Sequence, residues 1–452
     1  MDAIVIKLNP DGSPVWARTF GGTSDEYASS IIQTSDGGFA VAGRTRSFGA
    51  GNYDMLVLKL SQDGSVNWAR TFGGTQNDYA NSIIQTADGG LAVCGTTTSF
   101  GAGNEDVIVL KLEPDGILSW AKTFGGNRHD VGRDIIQTED GGYAIAGRAY
   151  SFGGGLGSYF VIKLSSSGTM EWSSCPSVNS RYDEGFSIIQ TADGGYVVGG
   201  HYGDPNWDVL IIKFDSYGSI VWAMTFGGAG INYGNSLIQT GDGELAIAGC
   251  TSSFGAGGLD VSVLKLNQDG SPVWARTFGG TDTDWSCSIN QTTDGAYVIA
   301  GYTRSFGAGG NDILVLKIDS SGNYPGCVQD YSPSATNVSP SAPAPSVGVE
   351  CYPSTGIPDL VITNPNLTIT DGCSPVNLSD NSLNGPRPHI ICSAIPGAAL
   401  FVSSEDMEIK IYSADGRVAY SGELKKGENR ITLGQGVYLW QAGPYRGKAA
   451  VR

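Results

Sequence analysis

The chain has 452 residues, 40% of them apolar and only 16% charged, with 67 glycines, which predicts a globular protein of more than one domain. A formal charge of -17 repels polyanions and argues against nucleic acid or an anionic membrane surface as a partner. No run approaches the roughly 18 apolar residues a membrane span needs, and the opening MDAIVIKLNPDG has no basic segment, long apolar segment or cleavage site that would make a signal peptide.

Tryptophans at 16, 68, 120, 172, 222 and 274 are spaced by 52, 52, 52, 50 and 52 residues, and WARTFGGT stands three times letter for letter, at 16, 68 and 274. A period of this size is the signature of a propeller, solenoid or array. Within the unit from Thr75 to Gly126, SIIQT reads as a short strand, ADGG as a tight turn, LAVCGTTT as a second strand and SFGAGNED as a glycine-rich loop. VIVLKL is a third strand, PDG a turn, and ILSWAKTF a fourth strand with Trp120, Lys122 and Phe124 on one face. Four antiparallel strands without a helix, repeated about six times, predict an all-β fold, a β-propeller of four-stranded blades over residues 1–330.

The SIIQT and GGxxVAG strand pair occurs six times, whereas the VLVLKL strand occurs seven times, from Ala3–Leu8 to Ile313–Ile318. Residues 1–22 are therefore expected to be a half-blade followed by six repeats. The count favours seven blades, with Met1 internal to a longer product that carries the missing strands and a signal peptide. The alternative is a six-bladed ring closed by Val15–Phe20. The units resemble a kelch-like bacterial repeat, carried by the SIIQTxDGG, VAGxTxSFG and WxKTFGG segments over about 330 residues. That resemblance implies the propeller fold and leaves the activity open.

Each unit places an acid or amide before its first apolar strand: Glu26, Asp78, Asp130, Asp183, Asn232 and Asp284. A second acid starts the third strand at Asp54, Asp106, Asp208, Asp260 and Asp312. Carboxylates at Asp78, Asp130, Asp183 and Asp284 could hold Ca²⁺, but repetition in every blade favours capping of turn N–H groups. No metal or cofactor is expected on this reading. No nucleophile elbow, phosphate loop or Cys/His pairing points to catalysis.

The fourth unit breaks the pattern, with WSSCPSVNSRYDEG in place of WARTFGGTxxDY and GHYGDPNWDVL lacking the SFGAG loop. This brings Arg181, Tyr182, His201, Tyr202 and Trp207 to one face, beside Arg128, His129 and Arg133 of the preceding unit. Such an aromatic surface with Arg and His suits a planar or sugar-like ligand. Two functions follow as expectations. One is a non-catalytic binding or scaffold module for a glycan or protein ligand; the other is an extracellular carbohydrate-active enzyme, a lyase or glycosidase, using loop carboxylates.

Residues 331–393 change to Pro, Ser, Asn and Cys and read as a linker, in which Cys327 at its edge, Cys351, Cys373 and Cys392 are expected to form disulfides in an oxidising compartment. Residues 394–452 show a compact pattern of short strands, a small β-sandwich. This tail resembles the C-terminal sorting domain of type IX secretion cargo. The match rests on Ile411, Tyr412, Gly416, Arg417, Gly427, Asn429, Gly436, Val437, Tyr438, Lys448 and Arg452, while AIPGAALFV replaces the usual Pro-Asn-Pro start. The resemblance implies the secretion machinery as a partner and an extracellular or cell-surface location.

Overall fold

The computed structural model describes residues 1–152, 157–176, 182–203, 206–307 and 309–324 with their side chains, and strands beyond residue 325 by their backbone. All regular structure among the described residues is β-strand. Six antiparallel sheets follow one another as propeller blades. Blade 1 consists of Glu26–Gln33, Phe39–Thr45, Asp54–Leu60 and Val66–Gly73, and blade 2 of Asp78–Gln85, Leu91–Thr97, Asp106–Leu112 and Leu118–Phe124. Blade 3 is Asp130–Gln137, Tyr143–Ala149, Ser158–Leu164 and Met170–Ser174; blade 4 is Asp183–Gln190, Tyr196–Gly203, Trp207–Phe214 and Ile220–Gly227. Blade 5 is Asn232–Gln239, Leu245–Thr251, Asp260–Leu266 and Pro272–Phe278, and blade 6 has three strands, Asp284–Gln291, Tyr297–Thr303 and Asp312–Ile318.

Six blades are found where the strand count favoured seven. The hairpin of Ala3–Leu8 and Pro14–Gly21 forms a sheet with Thr368–Asp371, so Val15–Phe20 does not act as the fourth strand of blade 6. The chain divides into two compact units, Met1–Ala3 with Phe20–Thr368, and Ile4–Thr19 with Ile369–Arg452. Within the first unit, short strands from the proline-rich segment pair along fourth-strand edges: Gln329–Asp330 on blade 5, Ser334–Asn337 on blade 4 and Val361–Thr363 on blade 1. Within the second, Ile390–Ile395, Ala398–Ser403 and Gly427–Thr432 make one sheet. Val418–Leu424, Met407–Ser413, Gly436–Ala442 and Tyr445–Val451 make another. The side chains of Cys327, Cys351, Cys373 and Cys392 lie outside the described residues.

The repeated letters are explained at the joints between blades. Trp68 lies over the turn of the next blade, its Nε1 donating to Pro114 O (3.2 Å), and a Cβ on Gly116 would stand 3.0 Å from its ring. Gly116 also has φ of 82°, so the PDG turn needs glycine for backbone and neighbour alike. Trp120, Trp172, Trp222 and Trp274 stand in the same way over Gly168, Gly218, Gly270 and Gly322. The glutamine that ends the first strand reaches back to the preceding blade at four joints. Gln85, Gln137, Gln190 and Gln291 each accept a 2.8 Å hydrogen bond from the turn N–H of Ser35, Ala87, Glu139 and Gly241.

Each apolar cluster is shared by two successive blades. At the first joint Met55, Val57 and Phe72 meet Ala80, Ile83, Leu91 and Val93, all at most 2% exposed. With about 2 kcal/mol for each large side chain so buried, packing between blades outweighs the few polar contacts there. First strands approach the centre most closely: Asn81 Nδ2 donates to Gly132 O (2.7 Å), Ser82 Oγ to Asp134 Oδ1 (2.8 Å) and Asn235 Nδ2 to Ser286 O (2.7 Å).

Candidate functional site

The acids before each first strand are consumed in holding the joints. Asp78 Oδ2 accepts from Gly74 N (2.8 Å) and Ser99 Oγ (2.7 Å), and its Oδ1 from Thr97 Oγ1 (2.5 Å). Asp130 accepts from Gly126 N, Tyr150 N, Ser151 N and Ser151 Oγ. Asp284 accepts from Gly280 N, Thr303 Oγ1 and Ser305 Oγ. Glu26 does the same with Gly22 N and Thr45 Oγ1, and Asp183 is fully buried. Among the described residues no three His, Cys, Asp or Glu side chains gather as metal ligands.

The second acid of each unit meets the first acid of the next across a glycine. A Cβ on Gly73 would run into both Asp54 and Asp78, one on Gly125 into Asp106 and Asp130, and one on Gly279 into Asp260 and Asp284. At the joint between blades 4 and 5 the partner is an amide, and Asn232 Nδ2 donates to Asp208 Oδ1 (3.0 Å). Where the partner is a carboxylate, Asp54 Oδ1 and Asp260 Oδ1 are buried without a hydrogen bond. Burial, with the neighbouring aspartate adding to it, pushes Asp54 and Asp106 up to about 6.

A folded-state pKa near 6 against an ordinary 3.8 means that the proton stabilises the fold fully below about pH 4 and that this contribution is lost as pH rises through 6. Asp54→Asn, which places an amide donor in the joint, is therefore expected to raise stability at pH 8 by roughly 1–3 kcal/mol. The gain should vanish near pH 4. Thermal melts at the two pH values check it; equal shifts at both would refute the raised Asp54 pKa.

At the end of the blades where first strands begin, aromatic rings form a ladder from blade to blade. His129 lies 6.2 Å from Tyr150, Tyr150 lies 6.3 Å from Tyr182, and Tyr182 lies 6.0 Å from Trp207. Trp207 follows at 6.0 Å from Tyr233, Tyr233 at 5.2 Å from Trp285, and Trp285 stacks on Tyr302 at 6.2 Å. Tyr27, Tyr53 and Tyr79 make a second run at 6.4 and 5.9 Å. His129 is exposed and the others are half-buried.

Charge in this rim is concentrated on one carboxylate. Glu184, 5% exposed, accepts from Arg133 Nε (2.5 Å) and Arg148 Nη1 (2.9 Å). Beneath it His201 packs on Phe186 (5.0 Å), Trp207 (4.6 Å) and Tyr233 (4.7 Å). Burial drives the His201 pKa down to about 4, so the imidazole is neutral at physiological pH and serves as an aromatic spacer.

Of the residues singled out from the sequence, Tyr182, His201 and Trp207 are brought together, and Arg133 joins them through Glu184 and Phe186 (5.1 Å from Cζ to the ring centroid). His129 lies at the ladder's edge with Glu105 Oε2 3.1 Å from its Nδ1. Arg128 is exposed and donates to Tyr150 O (3.3 Å). Tyr202, the next residue after His201 on the same strand, points to the opposite face and packs on the joint between blades 3 and 4. Arg181 lies outside the described residues, as do Gly416, Arg417 and Arg452. Gly436, Val437 and Tyr438 fall on the strand Gly436–Ala442, and Lys448 on Tyr445–Val451.

Sequence reasoning overlooked Tyr27, Arg44, Tyr53, Tyr79, Tyr150, Glu184, Tyr233, Trp285 and Tyr302. A signal was present: the second residue of the first strand varies as Tyr27, Tyr79, Val131, Glu184, Tyr233 and Trp285, while its neighbours repeat. This divergence at one position of an otherwise repeated frame places unlike side chains at the ends of successive blades.

A family described as a β-propeller domain of unknown function, DUF5122, matches residues 240–272. The chain is 24% identical over 163 residues to the regulatory protein FlaEY of Caulobacter vibrioides, a stretch covering 31% of this chain and 17% of that protein. This chain thus spans less than a fifth of that relative's length. Among solved structures, a protein of unknown function from Dyadobacter fermentans is 15% identical with a TM-score of 0.46, covering 66% of this chain and 96% of that one. The type IX secretion component PorZ of Porphyromonas gingivalis is 14% identical with a TM-score of 0.37, covering 92% and 58%. An endo-1,5-alpha-L-arabinanase of Thermotoga petrophila is 13% identical with a TM-score of 0.29, covering 66% and 91%.

Proposed function

We propose that the chain is a kelch-like, non-catalytic binding propeller that works outside the cell and takes a glycan on the aromatic rim. The observation that carries this reading is the ladder from His129 to Tyr302, whose rings follow one another at 5.2–6.3 Å from the connection before blade 3 to blade 6. Sugar rings present apolar C–H faces, and a row of aromatic faces with polar edges suits them. The carboxylates that an enzyme would need are occupied elsewhere. Asp78, Asp130 and Asp284 cap backbone N–H groups, and they and their partners Asp54, Asp106 and Asp260 are at most 1% exposed, out of reach of a glycosidic bond.

The sorting-domain resemblance of residues 394–452 supports export through the type IX machinery. Surface labelling of cells expressing the full chain, against a chain lacking residues 436–452, tests that part; equal display of both defeats it. A glycan array combined with a reducing-sugar release assay tests the binding role. Retention of a glycan without release is expected, whereas release would make the chain a carbohydrate-active enzyme and overturn the proposal.

A further inference from the structure

Arg44 and Arg148 occupy the same position, one residue before the end of the second strand, in blades 1 and 3. Their surroundings differ in the rings beside them and in the charge that faces them. Arg148 faces the second residue of the following blade's first strand, which is Glu184, and is neutralised by it (2.9 Å). The corresponding residue facing Arg44 is Tyr79. The Arg44 guanidinium lies over three rings, with its Cζ 4.4 Å from the centroid of Tyr27, 5.1 Å from Tyr79 and 5.5 Å from Tyr53.

Cation–π attraction holds the side chain in place without neutralising it. Its Nε, like that of Arg148, is buried without a hydrogen-bond partner, but among the described residues Arg44, unlike Arg148, makes no ion pair. In a chain of net charge -17, this is a cation held in an aromatic cradle at the propeller mouth with no protein carboxylate against it, its Nη groups left to solvent or a ligand. A guanidinium fork is matched by a carboxylate, which accepts two parallel hydrogen bonds.

We infer that the Arg44 cradle is a subsite for a carboxylate-bearing sugar, so that the rim selects acidic saccharides of the uronate or sialate type over neutral ones. The inference rests on the binding role proposed above and names its ligand class. The carboxylate pairs with Arg44, and the sugar ring lies along the tyrosine edges that continue from Tyr27 through Tyr53 to Tyr79.

An array carrying uronate and sialylated oligosaccharides, each also as its methyl ester, together with neutral glycans, separates the two levels of the argument. The acids should be retained at least ~10-fold better than their esters, a difference of about 1.4 kcal/mol. Tyr79→Glu supplies Arg44 with the carboxylate that Arg148 already has; it should abolish this preference while the variant melts as the parent does. Arg44→Gln should abolish it too, and Arg44→Lys should keep only part of it. Equal retention of acids and esters, or a preference that survives Tyr79→Glu, overturns the acidic-sugar subsite while the binding role stands. No retention of any glycan overturns both.

Discussion

Glu184→Ala is expected to lower the unfolding free energy by about 3–5 kcal/mol, the range for breaking a buried ion pair from one side. The carboxylate is 5% exposed and bridges Arg133 of blade 3's first strand to Arg148 of its second. Its removal leaves two guanidinium groups without their carboxylate, with only the Phe186 ring beside Arg133 (5.1 Å) and the Tyr150 ring beside Arg148 (5.0 Å) to compensate. Two like charges in that space repel. Glu184→Gln retains one of the two acceptor oxygens and turns an amide donor toward the other arginine, and it should cost less than alanine. Urea titration of the three proteins checks the order; an alanine variant as stable as the parent would mean that water reaches the arginines freely.

Gly95→Ala is expected to destabilise the fold by at least about 3 kcal/mol, at the upper end for overpacking. Gly95 stands where the first strand of blade 2 bulges, between Ala80 and Ser82 in the register. A Cβ at this position would fall inside the van der Waals boundary of the Tyr79 carbonyl oxygen. That neighbour is backbone and paired in the sheet, so neither partner can rotate away. Gly43, Gly147, Gly200, Gly249 and Gly301 stand in the same relation to the residue after each first acid. Gly241→Ala is the matched control, because its added methyl would meet nothing nearer than 3.7 Å. A shared, near-parental melting temperature for the two variants would show that the bulge can shift.

The four-stranded unit was legible because its signals are local. DGG and PDG turns, alternating strands and β-branched third strands each act within a few residues, and the recurrence of Trp68, Trp120 and Trp172 tied them into one period. The capping role of Asp78, Asp130 and Asp284 was legible for the same reason, since a need that recurs in every blade belongs to the joint. What could not be read was anything assembled across joints. Tyr27, Tyr53 and Tyr79 are 26 residues apart in sequence and share Arg44 only because successive blades bring their ends together. His201 looked like a ligand contact by residue type, but its burial among Phe186, Trp207 and Tyr233 depends on three different strands and a neighbouring blade. The blade number was misjudged because counting strands assumes that every VLVLKL segment joins a blade, whereas Ala3–Leu8 belongs to a separate sheet.

The tryptophan over the next turn and the glutamine reaching to the previous one have a consequence for descent. Every such reach crosses one boundary and lands on a turn glycine or a turn backbone N–H that the next unit also supplies, so an in-frame duplication or loss of a whole unit leaves each surviving module with a fitting neighbour. Loss of half a unit leaves none. Selection on copy number can therefore act without prior adjustment of side chains, and the letters that differ between modules, such as Tyr79 against Glu184, are where each copy became individual.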